Sequence, residues 1–313
     1  MNHGKVALAA ACAATCIGSA AIGAHAAQAT APSRQQAVVQ NGTGGPQVLK
    51  LERIPVLEPG RGQVLIKVYA AAINPADWGG LVRPAPAGTT VRRVPGLDVS
   101  GVIAAVGPGV ADRSAGMAVF AIVGPIEGGL NGAYAHYVIA NAASTAPRPA
   151  NVSFAQAAGL GVVGVTALGT ASPRHDAYLR GIGVSKAIDY AKDDVAGQAG
   201  PVDVVIDTVG RREALDAFHA LKRGGHFVSI ARAPVTPQLC AAAQVQCSGS
   251  PGHAASAPLA LLLQIGKLAG EGKLTIHIDR TYPLARAAEA VQYVHGGHTE
   301  GKVILRVAAA PAD

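Results

Sequence analysis

The feature that most constrains this chain is a change of texture near residue 150. Before it, short β-rich runs (Val64 to Val68, Asp98 to Val106, Ala118 to Val123, Ala133 to Ala140) alternate with Pro59-Gly60, Gly107-Pro108-Gly109 and Gly128-Gly129 turns. Many short strands with Gly/Pro turns indicate a small barrel or sandwich. After it, Ser153 and Gln156 form a capping-box pattern ahead of an Ala-rich helix. Pro173 to Arg180 reads as helix, and Val202 to Ile206 as a strand buried on both faces of a parallel sheet. Arg211 to Lys222 reads as helix, stopped at Gly224-Gly225, and Phe227 to Ile230 as strand. Strand, helix, strand in this order is a βαβ unit, so the second half is a doubly wound α/β domain. A strand over Leu274 to Ile278, a helix over Leu284 to Tyr293 and a strand over Val303 to Val307 finish the chain.

With 313 residues, 50% hydrophobic and 14% charged, the chain has ample core for two domains and is too apolar for intrinsic disorder. The net charge of +7 comes from basic residues placed singly or in pairs, and aromatic residues are 4% of the chain. That distribution excludes the basic stripe and stacking platform of a nucleic-acid binder.

Residues 1–26 read as a secretory signal. Lys5 precedes an apolar run from Val6 to Ala24, and Ala24-His25-Ala26 supplies a small-x-small cleavage pattern. Cleavage after Ala26 is expected, with Ala29 as second choice, giving a periplasmic or secreted protein without a stable membrane anchor. A retained anchor and a mis-assigned start of a cytoplasmic protein are the alternatives. Cys12 and Cys16 leave with the segment. Cys240 and Cys247 could pair in an oxidising compartment, but their spacing fits no metal or redox motif, and two thiols without a role is the reading favoured.

Five runs, in order, resemble one family. They are Ile73-Asn74-Pro75-Ala76-Asp77-Trp78, Pro95-Gly96-Leu97-Asp98-Val99-Ser100-Gly101-Val102, Gly132-Ala133-Tyr134-Ala135, Val202 to Gly210, and Gly301-Lys302-Val303-Ile304-Leu305. Together they resemble the medium-chain dehydrogenase/reductase superfamily in its zinc-free quinone oxidoreductase (zeta-crystallin-like) branch. The resemblance implies a GroES-like β-rich domain over 36–150, an NADP-binding Rossmann domain over 151–273 and a C-terminal segment, 274–308, returning to the first domain. It implies NADPH in the cleft, hydride transfer to a small quinone or enone, and the dimerisation seen in many relatives. Zinc-dependent relatives carry a Cys near Ile73 to Trp78 and Gly-His-Glu where this chain has Gly96-Leu97-Asp98. Leu97 cannot ligate, and no Cys lies between 17 and 239, so no zinc is expected.

The strand, Gly-rich turn and helix that should take the pyrophosphate are missing. Val165 to Leu168 runs directly into Gly169-Thr170-Ala171-Ser172, which resembles the end of the family's second Rossmann strand. One βα unit of roughly 30–40 residues is therefore expected to be deleted. Gly159-Leu160-Gly161-Val162-Val163-Gly164 fits G-x-G-x-x-G as a string, but a helix rather than a strand precedes it. It reads as small residues permitting close helix packing.

By the resemblance, Thr170, Ser172, Arg174 and Tyr190 would meet the 2′-phosphate end of NADPH. Thr208, Val209 and Gly210 would lie beside the nicotinamide ribose, although Asp207-Thr208 also makes a sound structural turn. Asn74 and Trp78 would face nicotinamide and substrate, with Asn74 donating to the carbonyl being reduced. On that reading Asn74→Ala lowers turnover and leaves thermal stability nearly unchanged. A catalytically silent relative that has lost the cofactor is the alternative.

Overall fold

The computed structural model describes residues 31–310 except 85–89, 125, 127–129, 164–185, 187, 190–193, 209, 230–232, 250–257 and 298. The signal-like segment therefore lies outside the described residues. In chain order the elements begin with strands β1 (Arg34–Asn41), β2 (Leu49–Pro55) and β3 (Gln63–Ala72) and helix α1 (Pro75–Val82). Strands β4 (Arg92–Arg93), β5 (Asp98–Val106), β6 (Ala118–Ile122), β7 (Tyr137–Asn141) and β8 (Thr145–Pro147) follow. Helices α2 (Phe154–Ala158), α3 (Leu160–Val163) and α4 (Val195–Ala199) lead to strand β9 (Val202–Asp207), helix α5 (Arg211–Phe218) and strand β10 (Leu221–Ser229). Helix α6 (Pro237–Ala243), strand β11 (Gln246–Gly249), helix α7 (Leu259–Gly270), strand β12 (Ile278–Pro283), helix α8 (Ala287–His295) and strand β13 (Lys302–Arg306) complete the chain.

The first domain is organised around β3, whose ten residues are buried at all but two positions. β3 is long enough to hold two partners along one edge. Gln63 to Lys67 pair with β7, and Ala70 to Ala72 pair with β13. Its other edge pairs antiparallel with β5. Because β13 pairs parallel with β12, the last strands of the chain are built into the sheet formed by the first. Helix α8 follows a single 3₁₀ turn (Leu284–Arg286) and adds Ala287, Ala290 and Val291 to the same core as Ile66, Val99 and Leu305. β12 begins at Ile278, later than the sequence pattern placed it.

Ser153 caps α2 as expected: its hydroxyl accepts from the Gln156 N–H at 3.3 Å, and the Gln156 side chain accepts from the Ser153 N–H at 3.2 Å. The helices that bracket the second domain in sequence pack on the first domain's sheet. Leu160 of α3 and Leu262 and Ile265 of α7 share a cluster with Phe120, Ile122 and Ala146. Phe154 of α2 packs against Tyr69, with ring centroids 4.9 Å apart and planes tilted by 59°.

The second domain is α/β. Among the described residues its sheet has three parallel strands in the order β11-β10-β9, with a separate core of Ala214, Phe218, Phe227 and Cys240. Three sequence expectations are corrected here. β9 pairs in parallel, but it is not buried on both faces: Val204 is 54% exposed, with no layer over it among the described residues. The Arg211 helix ends at Phe218, and Leu221, Gly224 and Gly225 belong to β10, where Gly224 turns through φ +78°. Cys240 and Cys247 are not two idle thiols but a disulfide with Cα atoms 6.1 Å apart, tying α6 to β11. The left-handed turn at Gln244 brings them together, which a reading of linear spacing could not see. The expected helix over Pro173 to Arg180 lies outside the described residues.

Candidate functional site

Four of the five motif runs meet at one buried polar cluster. β3 leads into Asn74, which has extended backbone, and Pro75 opens α1 at the position where a missing N–H costs nothing. The Asn74 N–H donates to Asp77 Oδ2 at 2.8 Å, and the Tyr134 hydroxyl donates to the same oxygen at 2.7 Å. Asn74 Nδ2 donates to Asp98 Oδ2 at 3.1 Å. From β13, Lys302 Nζ donates to Asn74 Oδ1 at 2.6 Å and to the Ile73 carbonyl at 3.3 Å, and lies 4.0 Å from Asp98 Oδ2. Asn74, Asp77, Asp98, Tyr134 and Lys302 are all buried.

Gly96 makes room for this arrangement. It sits at φ +93°, and a Cβ there would fall 2.5 Å from Tyr134 Cδ1. The neighbouring main chain is also joined, with the Ala133 and Tyr134 N–H groups donating to the Gly96 and Pro95 carbonyls. Only glycine both adopts this backbone and lets the Tyr134 ring lie over it.

Burial alters the acidity of three groups in this cluster, Asp77, Lys302 and Tyr134. Burial pushes the Asp77 carboxyl up to about 6, helped by the nearby Asp98 charge and opposed by the hydrogen bonds from Asn74 and Tyr134. Burial lowers Lys302, with Asp98 and then Asp77 pulling the other way. Tyr134 is raised well above the ordinary phenol range by burial and by Asp77. Desolvating each charge costs several kcal/mol, recovered only through close pairing of this kind. Perturbed titratable groups gathered at one point mark a candidate site.

The residues expected from sequence fall in three places. Asn74 is the centre of the cluster. Trp78, one turn along α1, lays its indole flat on the His295 imidazole, with centroids 3.5 Å apart and planes 4° apart, joining α1 to α8. Thr208 and Gly210 follow the C-terminal end of β9. Thr208 is exposed, and Gly210 is buried at φ +79° as the cap of α5. Asp207 pins that loop, accepting from the Gly210 N–H at 2.8 Å and the Ser229 hydroxyl at 2.6 Å. Thr170, Ser172, Arg174, Tyr190 and Val209 lie outside the described residues.

Asp77, Asp98, Tyr134 and Lys302 carried no role in the sequence reading. A signal was present for two of them: Asp98 and Lys302 are charged residues that open apolar, strand-like runs. Gly159 and Gly161 of the G-x-G-x-x-G string behave as packing, while Gly164 lies outside the described residues. A Cβ on Gly159 would fall 2.6 Å from Ile276 Cγ2, and one on Gly161 would fall 2.4 Å from Asp98 Oδ1. Helix α2 precedes the string, so these glycines bring helix backbone against first-domain side chains. Among the described residues no three His, Cys, Asp or Glu side chains gather as a metal site, and no helix is long and apolar enough to cross a membrane.

Comparison with known proteins agrees in both halves. Residues 60–150 match the alcohol dehydrogenase GroES-like domain, and residues 182–305 match the zinc-binding dehydrogenase family model. An NADPH-dependent alkenal/one oxidoreductase from Arabidopsis thaliana chloroplasts is 30% identical over 89% of this chain and 81% of its own length. A chloroplast quinone-oxidoreductase, QR1, from Triphysaria versicolor is 26% identical over 84% of this chain and 95% of its own. Among solved structures, the quinone oxidoreductase from Coxiella burnetii superposes with a TM-score of 0.77 at 26% identity, covering 88% of this chain and all of that one. With its GroES-like first domain and Rossmann-like second domain, the chain belongs to the medium-chain dehydrogenase/reductase superfamily of oxidoreductases, on the side of the quinone and alkenal oxidoreductases.

Proposed function

We propose that this protein is a zinc-independent reductase of quinones or enones in which Asn74 is the hydrogen-bond donor to the substrate oxygen. The observation that carries this is the fixed carboxamide of Asn74. Nδ2 gives one hydrogen to Asp98 and, among the described residues, meets no second acceptor, and the group is held from both sides in a site shielded from water. A preorganised donor aimed where negative charge develops is among the largest contributions to this kind of chemistry. NADPH, when bound, supplies the hydride. Thr208 and Gly210 fit its ribose side, one offering an exposed hydroxyl at the C-terminal end of a parallel strand and the other an absent side chain. Thr170, Ser172, Arg174 and Tyr190 are proposed for the 2′-phosphate on the family resemblance alone. Zinc independence is supported by Leu97 standing where zinc-dependent relatives place a His.

Gly159 and Gly161 do not fit the pyrophosphate, because the space in front of them is already filled by Ile276 and Asp98. This supports the proposed loss of one βα unit. The alignment to the Arabidopsis protein runs over 333 positions yet uses 89% of the 313 residues here, leaving about 54 positions of the relative without a counterpart. The exposed Val204 favours a second reading, a folded relative that no longer takes the cofactor. NADPH titration of the chain from Ala27 onward, followed by nucleotide fluorescence, separates the two. Saturable micromolar binding followed by quinone or enone turnover supports the enzyme, and no binding up to millimolar NADPH in a folded sample refutes it.

We also propose export. The signal-like prefix and the Cys240–Cys247 disulfide agree in pointing to an oxidising compartment. N-terminal sequencing of the periplasmic fraction tests this: a start at Ala27 or Thr30 supports export, and a retained Met1 refutes it.

A further inference from the structure

We propose that Lys302 is the positioning residue for Asn74, setting which end of the Asn74 carboxamide faces the reacting substrate; this rests on the reading of Asn74 as the donor. A carboxamide has two ends that differ only in whether they accept or donate. An ammonium can only donate, so Lys302 Nζ at 2.6 Å admits only the oxygen end. A carboxylate accepts, so Asp98 Oδ2 at 3.1 Å draws the nitrogen end. With both partners in place the opposite orientation would set oxygen against carboxylate and NH₂ against ammonium. The second Nδ2 hydrogen is then the group left for a substrate carbonyl.

Two further contacts fix Lys302 itself. Its Nζ also donates to the Ile73 carbonyl, in the residue before Asn74, and it lies against Asp98. Its main-chain N–H donates to the His277 carbonyl, and β13 pairs with β12 and β3. The clamp therefore forms only when the C-terminal strand returns to the first domain, bridging 228 residues of sequence. Gly301, immediately before it, sits at φ +132° with the place of a Cβ taken by the His277 carbonyl at 2.5 Å, so the entry of Lys302 is held rigidly.

The test uses the full mature chain and two readouts. The first is the side-chain amide of Asn74 in protein labelled with ¹⁵N-asparagine, assigned with Asn74→Ala. In the wild type one strongly hydrogen-bonded, slowly exchanging amide proton is expected. Two equivalent, rapidly exchanging protons would overturn the inference without any variant. In Lys302→Met, which keeps the stem and removes the donor, the signals should shift or split. The second readout is kinetic: kcat should fall at least tenfold, with KM for NADPH changed less than about threefold and a native far-UV spectrum, and Lys302→Arg should restore part of the loss. Lys302→Met with kcat within twofold of wild type overturns the inference, as does an altered amide signal without a kcat effect. If Lys302→Met does not fold, Lys302→Arg and the wild-type amide signal decide. If the wild type neither binds NADPH nor turns over, the functional reading fails and the positioning role fails with it, while the amide signals still show whether the clamp exists.

Discussion

Replacing Asp77 with asparagine is expected to stabilise the protein at neutral pH and to change little near pH 4. Asp77 ionises at about 6 in the folded chain against an ordinary 3.8, chiefly because burial disfavours its charged form. At 1.36 kcal/mol per tenfold change in a protonation equilibrium, that gap corresponds to about 3 kcal/mol. Below pH 3.8 the carboxyl is neutral in both folded and unfolded chains and exacts no penalty. Between 3.8 and about 6 the unfolded chain releases the proton while the folded chain keeps it, so stability from this group falls as pH rises. Above about 6 the loss is complete. Asparagine resembles the neutral carboxyl, and its Oδ1 can still accept from the Asn74 N–H and the Tyr134 hydroxyl that now converge on one oxygen. The variant's advantage should therefore be only about 0.5 kcal/mol at pH 4, grow to about 1.5 kcal/mol at pH 5 and level off at about 3 kcal/mol at pH 7. In a chain of this size the plateau corresponds to roughly 6–12 °C in melting temperature. Urea unfolding of both proteins from pH 4 to 7.5 measures the difference directly and cancels the titration of all other groups. A difference independent of pH, or one that shrinks as pH rises, would refute the argument that Asp77 is held ionised against its environment.

Three other perturbations, one reduction and two substitutions, probe separate parts of the molecule. Reducing the Cys240–Cys247 disulfide closes no loop in the unfolded chain and should cost roughly 2 kcal/mol from loop entropy for so short a span. Denaturant unfolding with and without reductant, with alkylation of two thiols seen by mass, checks it. Gly161→Ala should destabilise by about 1–3 kcal/mol, because its Cβ would meet Asp98 Oδ1. A loss of NADPH affinity at unchanged stability would instead make the glycine a phosphate contact. Asn74→Ala should lower turnover and also cost about 2–4 kcal/mol in thermal unfolding, since it removes partners of the buried Lys302 and Asp98. That revises the expectation from sequence that stability would be untouched, and full activity in a folded Asn74→Ala protein would remove Asn74 from the chemistry.

Where the sequence pattern failed, long-range packing had overridden a local signal. The Gly159 string is one the sequence already read correctly as packing, because a helix rather than a strand precedes it, though the string could not name what lies opposite. The structure puts Ile276 and Asp98 there. Val202 to Ile206 looks like a strand buried on both faces because apolar strands usually are. Val204 is exposed, because among the described residues nothing packs over it. Pairing of the two cysteines was the reading not favoured, because what folds them together is a left-handed turn at Gln244 that is unfavourable for most residues.

The sequence by itself determined the secondary-structure texture, the order of the two domains and the residue types that could do chemistry. These follow from local periodicity, turn residues and caps, all carried within a few positions: β5 begins at Asp98, and Ser153 caps α2. It also singled out Asn74. What only the tertiary structure decided is the environment of Asn74. Asp77 is local to it, but Asp98, Tyr134 and Lys302 arrive from three other strands or loops, and the ammonium that orients the carboxamide enters from the far end of the chain. Burial, and with it the altered acidity of the cluster, exists only once those segments close around one another, because desolvation depends on everything nearby rather than on neighbours in sequence.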